Sequence, residues 1–287
     1  MNLILNRLNP LVGVTNQWRV FLFCTVVLVN SCLSACNAQC EVGSKPYQSG
    51  EQLDYVVYYN LKKIWVPAGK VRFAVQDSMY RGISCYHFNG LGKTFKEYDW
   101  IFRVRDQYQS WSTKDSLKPQ RFIRNAQEGS SKVYFDYSFN HPEDEIYLKK
   151  SRNAIKQDTI HHTSCAFDLM TLVYYARTLD FSKAKLMDTI PLTIILDGQK
   201  YDTYIRFTGR GIEKSRNGTS YKVIKFRPML IEGTIFKGGE DMEVSVSDDK
   251  NRIPIYVEAS ILIGKVKVYL DKMSGVKFPM EARLKKP

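Results

Sequence analysis

From Leu53 onward apolar residues recur at every second position: Leu53, Tyr55, Val57 and Tyr59, then Val71, Phe73 and Val75. Period two sends one row of side chains to a buried face and the next to water, which is the signature of a β-strand. Pro67-Ala68-Gly69 reads as the turn of this first antiparallel pair. The same alternation predicts strands at Cys85–Leu91, Ile101–Ser110, Arg121–Asn125, Val133–Phe139 and Glu145–Lys149. The period then changes. Leu169, Leu172, Val173 and Ala176 stand at i, i+3, i+4 and i+7, one face of a helix. That predicts a helix over about 166–179, with Ser164 as its N-cap.

Strands resume at Ile190–Ile195, Tyr201–Phe207, Thr208–Lys214, Tyr221–Phe226, Leu230–Phe236, Met242–Ser247, Ile255–Ile263 and Lys265–Leu270. Asp197-Gly198 separates two alternating runs and predicts a tight hairpin, because both turn positions need positive φ. Asn217-Gly218 predicts a second. The expected fold is mostly β, a large curved antiparallel sheet or half-barrel with one covering α-helix. Tyrosine and phenylalanine, 18 and 15 residues of 287, suit a pleated and half-buried surface.

The N-terminus follows another pattern. Val20 to Val29 is an unbroken apolar run, too short for a spanning helix but suited to the centre of a secretory signal. Leu33-Ser34-Ala35-Cys36 follows and resembles a bacterial lipobox, which makes Cys36 the lipidation candidate. The chain then divides into a lipoprotein signal peptide (1–35), a short tether (36–50) and a single β-rich domain (51–287). The alternative is cleavage after Ala38, giving a soluble periplasmic protein. Position 37 is Asn rather than the Asp that retains lipoproteins at the inner membrane of enteric bacteria, which points to the outer membrane, on its periplasmic or surface side.

The net charge is +13, and removing residues 1–35 takes away only two arginines. The basic residues are scattered, not arranged in one stripe with aromatics, so no nucleic-acid partner is expected. Anionic lipid head groups or acidic glycans fit a basic envelope surface better. Of the six cysteines, Cys24 and Cys32 leave with the signal. Cys85 lies in an apolar stretch and reads as a buried thiol. Cys40 and Cys165 sit at polar element edges and are the disulfide candidates in an oxidising compartment.

Chemistry-bearing motifs are sparse. His161-His162 with Cys165 and Asp168 matches no zinc spacing, and Asp248-Asp249-Lys250-Asn251 lacks the glycine and distal glutamate of a calcium loop. No metal or cofactor is expected. Glu143, Asp144 and Glu145 offer carboxylates without a visible cleft. There is no Gly-x-Ser-x-Gly elbow, Gly-rich phosphate loop or redox Cys-x-x-Cys. Asp followed by a hydroxyl residue and an apolar one recurs at Ser78, Ser116, Thr159 and Thr189, resembling the O-glycosylation signal of exported Bacteroidetes proteins.

The order of several features resembles an exported bacterial family, domain of unknown function 3108, over about residues 50–270. Those features are Gly50-Glu51 with Leu53 and Tyr55, Ala68-Gly69, Leu117-Lys118-Pro119, and Asp168 with Leu172, Tyr174, Tyr175 and Arg177. Asp197-Gly198, Ser247-Asp248-Asp249 with Arg252 and Pro254, and Gly264 complete the set. The Gln39-Cys40 style of the N-terminus looks like Bacteroidetes members. The resemblance implies an envelope protein of mostly β structure and brings no activity with it. The expectation is a non-enzymatic cell-envelope lipoprotein, held to the membrane by its lipid anchor. It would bind a lipid, lipidated partner or glycan in a concave β surface lined by Tyr59, Trp65, Phe135 and Tyr137. The alternatives are an envelope hydrolase acting on glycan or lipid, or a scaffold subunit of an outer-membrane assembly.

Overall fold

The structure, a computed structural model, describes residues 42–285 except 62–63, 152–153, 162–164, 233–237 and 262–263. The signal segment, Cys36, Cys40, His162 and Ser164 therefore lie outside the described residues. The described residues belong to one compact unit that begins at Val42.

Fifteen strands form one sheet, open at both edges, in the order β8-β7-β6-β5-β4-β3-β2-β1-β15-β14-β13-β12-β11-β10-β9. The first arm is a meander: β1 (Gln52–Leu61), β2 (Ile64–Tyr80), β3 (Ile83–Thr94), β4 (Val104–Thr113), β5 (Pro119–Glu128), β6 (Ser131–Asn140), β7 (Glu145–Ser151) and β8 (Ile155–His161). A two-residue β9 (Ala166–Phe167) and the helix α1 (Leu169–Ala176) connect it to the second arm. That arm contains β10 (Thr189–Leu196), β11 (Gln199–Lys214), β12 (Ser220–Pro228), β13 (Met242–Ser247), β14 (Pro254–Ile261) and β15 (Gly264–Ser274). β1 pairs with β15 antiparallel and joins the arms.

The sheet curls until its two arms face each other. Flat, β10 and β5 would lie roughly 48 Å apart, ten strand spacings of about 4.8 Å. Yet Arg124 Nη1 on β5 donates to Asp197 Oδ1 at the β10–β11 turn over 2.7 Å, and Gly198 N donates to the Tyr137 hydroxyl of β6 over 3.0 Å. Between the arms lies the main core. Phe88, Phe122, Phe135, Tyr137 and Leu148 come from the first arm, Ile195, Phe207 and Phe226 from the second, and Met170, Tyr174 and Tyr175 from α1. Val133, Phe135, Tyr137 and Phe139 are all buried, as their alternation requires.

The helix is shorter than the pattern implied and turns a different face inward. Asp168 is its N-cap, accepting from Thr171 N over 2.9 Å, because Ala166 and Phe167 are extended and pair with β10. Its buried residues are Met170, Thr171, Tyr174 and Tyr175, while Leu169, Leu172 and Ala176 are only partly buried. Tyrosine rings fill the curved space between the arms, so the deepest face carries the longest side chains. Gly90 on β3 makes room for this packing: a Cβ there would come within 3.0 Å of Met170 Sδ. Tyr47, in the stretch read as a tether, is fully buried and packs edge-on to Tyr174 with centroids 5.0 Å apart.

Two turns also differ. Pro67-Ala68-Gly69 lies within β2, where Val57 pairs with Gly69 and Tyr58 with Pro67, leaving Ala68 as a bulge. A bulge tolerates proline because the ladder is already interrupted. Likewise, Tyr201–Phe207 and Thr208–Lys214 fuse into β11 through a bulge between Phe207 and Gly209. The Asp197-Gly198 hairpin forms as expected, both residues at positive φ. The described part of Leu230–Phe236 makes an isolated bridge from Leu230 to Gly239.

Candidate functional site

The outer face of the first arm carries a groove of about 520 Å³. The long β2–β3 hairpin brings Tyr80 and Arg81 to it. Arg121 comes from β5, Asp136 and Ser138 from β6, Tyr147 and Lys149 from β7, and Gln157, Asp158 and Thr159 from β8. Register explains the set. Arg121 pairs with Ser138, Ser138 with Tyr147 and Tyr147 with Thr159; Asp136 pairs with Lys149 and Lys149 with Gln157. Directly paired residues share a face, and for these residues it is the face opposite Phe135 and Tyr137; Asp158 pairs with Leu148 and belongs to the other row.

The floor of the groove is preorganised. Arg121 donates from Nε and Nη2 to the two Asp136 oxygens, at 3.0 and 2.9 Å, and this pairing holds its guanidinium above its ordinary range. The Tyr134 hydroxyl donates to the same carboxylate over 3.3 Å. The guanidinium also lies over the Trp111 ring, 5.8 Å from its centroid, and that ring stacks on His87 at 4.4 Å. Tyr80 adjoins Trp111 at 6.3 Å, and Arg81 lies over Tyr80. The result is a rigid floor of rings and a planar ion pair, with amide, hydroxyl and ammonium groups around it.

The interior polar groups have another character. Glu51 and Arg177 form a buried bidentate pair, 2.6 and 3.0 Å, and Arg177 Nη2 also donates to Asn251 O over 2.9 Å. Arg177 lies between the rings of Tyr47 and Tyr174, 5.3 and 5.6 Å from their centroids. Asp168 accepts from the hydroxyls of Ser110 and Thr171, each at 2.7 Å, and Ser112 and Thr171 hydroxyls lie 2.6 Å apart. In the β13–β14 turn, Asp249 Oδ1 accepts from Ser247 Oγ and Asn251 N, while Asn251 Nδ2 donates to Phe278 O. These contacts tie α1, β1 and the C-terminal segment together.

The family model described as "Protein of unknown function (DUF3108)" matches residues 54–271. The chain belongs to the DUF3108 family. Of the residues that carry the sequence resemblance, Glu51, Asp168, Tyr174, Arg177 and Ser247 are buried and form interior fastenings. No curated protein matches this DUF3108 chain. Among solved structures it is similar to a β-barrel-like protein of domain of unknown function DUF1849 from Brucella abortus. That likeness has a TM-score of 0.52 and 10% identity, and covers 83% of this chain and all of that one. The fold is thus shared. A candidate lipoprotein from Parabacteroides distasonis shows 9% identity over 81% of this chain and 99% of that one, with a TM-score of 0.26, too low to inform the fold. No described helix is long and apolar enough to cross a membrane.

The structure does not bring the four expected lining residues into one cleft. Phe135 and Tyr137 are core residues stacked at 5.9 Å. Tyr59 and Trp65 flank the β1–β2 connection, five and four strands away in the sheet, with Trp65 under Lys267 and Tyr59 beside Gly264. Cys165 is disulfide-bonded and Cys85 is a buried free thiol. Thr159 and Thr189 are exposed, while Ser78 and Ser116 are partly covered. His161 is exposed at the end of β8, and Asp168 is buried at the helix cap, so they share no ligand shell. Glu143 and Glu145 accept from the Tyr147 hydroxyl at 3.1 and 3.0 Å, on an exposed turn.

Two carboxyls are held well above the usual carboxylate range. Burial pushes Asp106 up to about 6, aided by Glu128, and burial pushes Asp168 up to about 6 against its hydrogen bonds. A raised folded-state pKa means that the fold holds the proton more tightly than the unfolded chain does, so stability falls as pH rises from about 4 through about 6. The thermal midpoint should therefore climb as pH drops from 8 to about 5. Asp106→Asn, which keeps an acceptor for Gln127 N, should reduce that climb and raise the midpoint at pH 8. A pH series of melts on both proteins checks this, and an unchanged slope would contradict it.

Proposed function

We propose that this DUF3108 chain is a non-enzymatic envelope protein that binds a polar, glycan-type ligand in the outer-face groove. The observation that carries the reading is the fixed Arg121–Asp136 pair beside Trp111, Tyr80 and Tyr147 in a groove of about 520 Å³. That volume is within the range of small-ligand sites, roughly 300–1,000 Å³. Sugar rings present C–H faces that pack on aromatic rings, and hydroxyls that pair with carboxylate, guanidinium and amide groups. The lipid reading is less well supported, since Phe135, Tyr137 and α1 occupy the space between the arms. The hydrolase reading is less well supported: of the two carboxylates in the groove, Asp136 is committed to Arg121 and Asp158 pairs with Lys150.

The lipobox at Cys36 supports an anchored, outer-membrane setting, and Cys40 is the proposed partner of Cys165. The groove would then be displayed on the periplasmic or surface side. Titration with neutral and uronic-acid oligosaccharides, followed by tryptophan fluorescence of Trp111, tests the binding. Saturable binding should weaken about tenfold or more in Tyr147→Ala and Gln157→Ala, which remove contact groups without touching the core. No saturation with any of these sugars, or binding unaltered by both substitutions, would overturn the proposal.

A further inference from the structure

A second surface lies at the end of the sheet that carries the β1–β2, β3–β4, β5–β6 and β7–β8 connections. In an antiparallel meander, alternate connections fall at the same end. Exposed apolar side chains gather there. Trp100 is 83% exposed, Phe102 51% and Ile101 47%, all in the β3–β4 connection; Ile64 at the start of β2 is 67% exposed and Ile155 at the start of β8 is 77%. Met229, after β12, lies at the same end of the second arm and is also exposed. At the opposite end, the connections carry Arg81-Gly82, Lys114-Asp115-Ser116 and His141–Asp144, with Met79 and Ile83 flanking the first.

The β3–β4 connection is built, not slack. A 3-10 turn spans Lys96–Tyr98. Asp99 accepts from Thr94 Oγ1 over 2.6 Å and from Arg105 Nη1 and Nη2 over 3.0 and 2.6 Å. Ile101 N and Phe102 N both donate to Tyr98 O. The Phe102 ring packs beside Gly129 at the β5–β6 turn, where a Cβ would come within 3.1 Å of it. A framework this well satisfied, holding tryptophan outward, needs a partner for its apolar tip.

Charge identifies the partner. Lys70, Lys93, Lys96, Arg103 and Lys132 are exposed around this end. Of the nearby acids, Asp99 pairs with Arg105 at 2.6 Å, Glu128 with Arg124 at 3.2 Å and Glu258 with Lys265 at 4.0 Å, which leaves exposed Glu97 against five exposed cations. An aromatic and aliphatic tip inside a ring of cations matches the boundary of an anionic bilayer, where rings sit among head groups and cations meet phosphates.

We propose that Trp100, Ile101 and Phe102 form an interfacial membrane-contact site that docks this end of the sheet on an anionic lipid surface. It is separate from the lipid anchor and from the groove. The test uses the chain from residue 36 onward with Cys36→Ser, so that neither an acyl chain nor the apolar signal segment contributes, with phosphatidylglycerol or phosphatidylcholine vesicles in co-sedimentation. Binding is expected to the anionic vesicles, to fall with added salt, and to drop about tenfold or more in the Trp100→Ser, Phe102→Ser double variant. Its melting temperature should stay close to that of the parent, because both side chains are exposed. Equal binding by parent and double variant, or no binding by the parent, would overturn the proposal. So would self-association that the double variant abolishes without lipid binding, which would assign the tip to a second copy of the chain.

Discussion

Arg177→Met should destabilise the protein by about 3–5 kcal/mol, the range for removing one partner of a buried ion pair. Both side chains of the Glu51–Arg177 pair are almost wholly inaccessible. Without the guanidinium, Glu51 loses both of its hydrogen bonds in a dry interior, and Asn251 O loses a donor. The loss also severs the link between the end of α1, the entry to β1 and the β13–β14 turn. Changing Glu51→Gln in the same chain should recover part of the loss, since a neutral amide is cheaper to bury than an unpaired carboxylate. Urea unfolding of the parent, the single variant and the double variant measures this. A cost under about 1 kcal/mol for Arg177→Met would show that the pair is not a fastening of the fold.

Phe88→Ala should cost about 3–5 kcal/mol, because it leaves a cavity at the centre of the main core. Phe88 is fully buried on β3 and stacks on Tyr174 of α1, with centroids 4.0 Å apart. It also meets Tyr47 at 5.6 Å and Tyr86 at 5.8 Å. Truncation at this position strips contacts from the helix, the first arm and the entering chain together. Tyr174→Phe is the contrasting variant. It keeps the ring and removes a hydroxyl that has no hydrogen-bond partner among the described residues. Its cost should be below about 1 kcal/mol, since no protein group is left unpaired. Comparable losses from the two changes would mean that the hydroxyl, not the ring stacking, organises this part of the core.

Much of the sheet was legible because burial on one face leaves alternation in the chain. Val133–Phe139 shows this most clearly, and Asp197-Gly198 shows it for turn chemistry. β8 was not legible: most of its residues are exposed at a sheet edge, so its apolar positions follow no period. Pro67 reads locally as a turn, and only pairing with Tyr58 reveals a bulge. The helix face was misjudged because Leu and Val score as more apolar than tyrosine, whereas the curved interior selects for reach. The groove was hidden for a different reason. Arg121, Asp136, Tyr147 and Gln157 each sit at an outward strand position, where polar residues are ordinary. Register across β5 to β8 and the overhang of the β2–β3 hairpin bring them together. The opposite charges of Arg121 and Asp136, fifteen residues apart across the Gly129 turn, are the signal that could have exposed the site.

The most direct test of outer-face binding is native mass spectrometry of the protein purified from its own envelope, compared with the Tyr147→Ala, Gln157→Ala double variant. The expected result is an oligosaccharide adduct on the parent that is lost from the variant. A parent that carries no oligosaccharide, or an oligosaccharide adduct kept equally by the double variant, would contradict it.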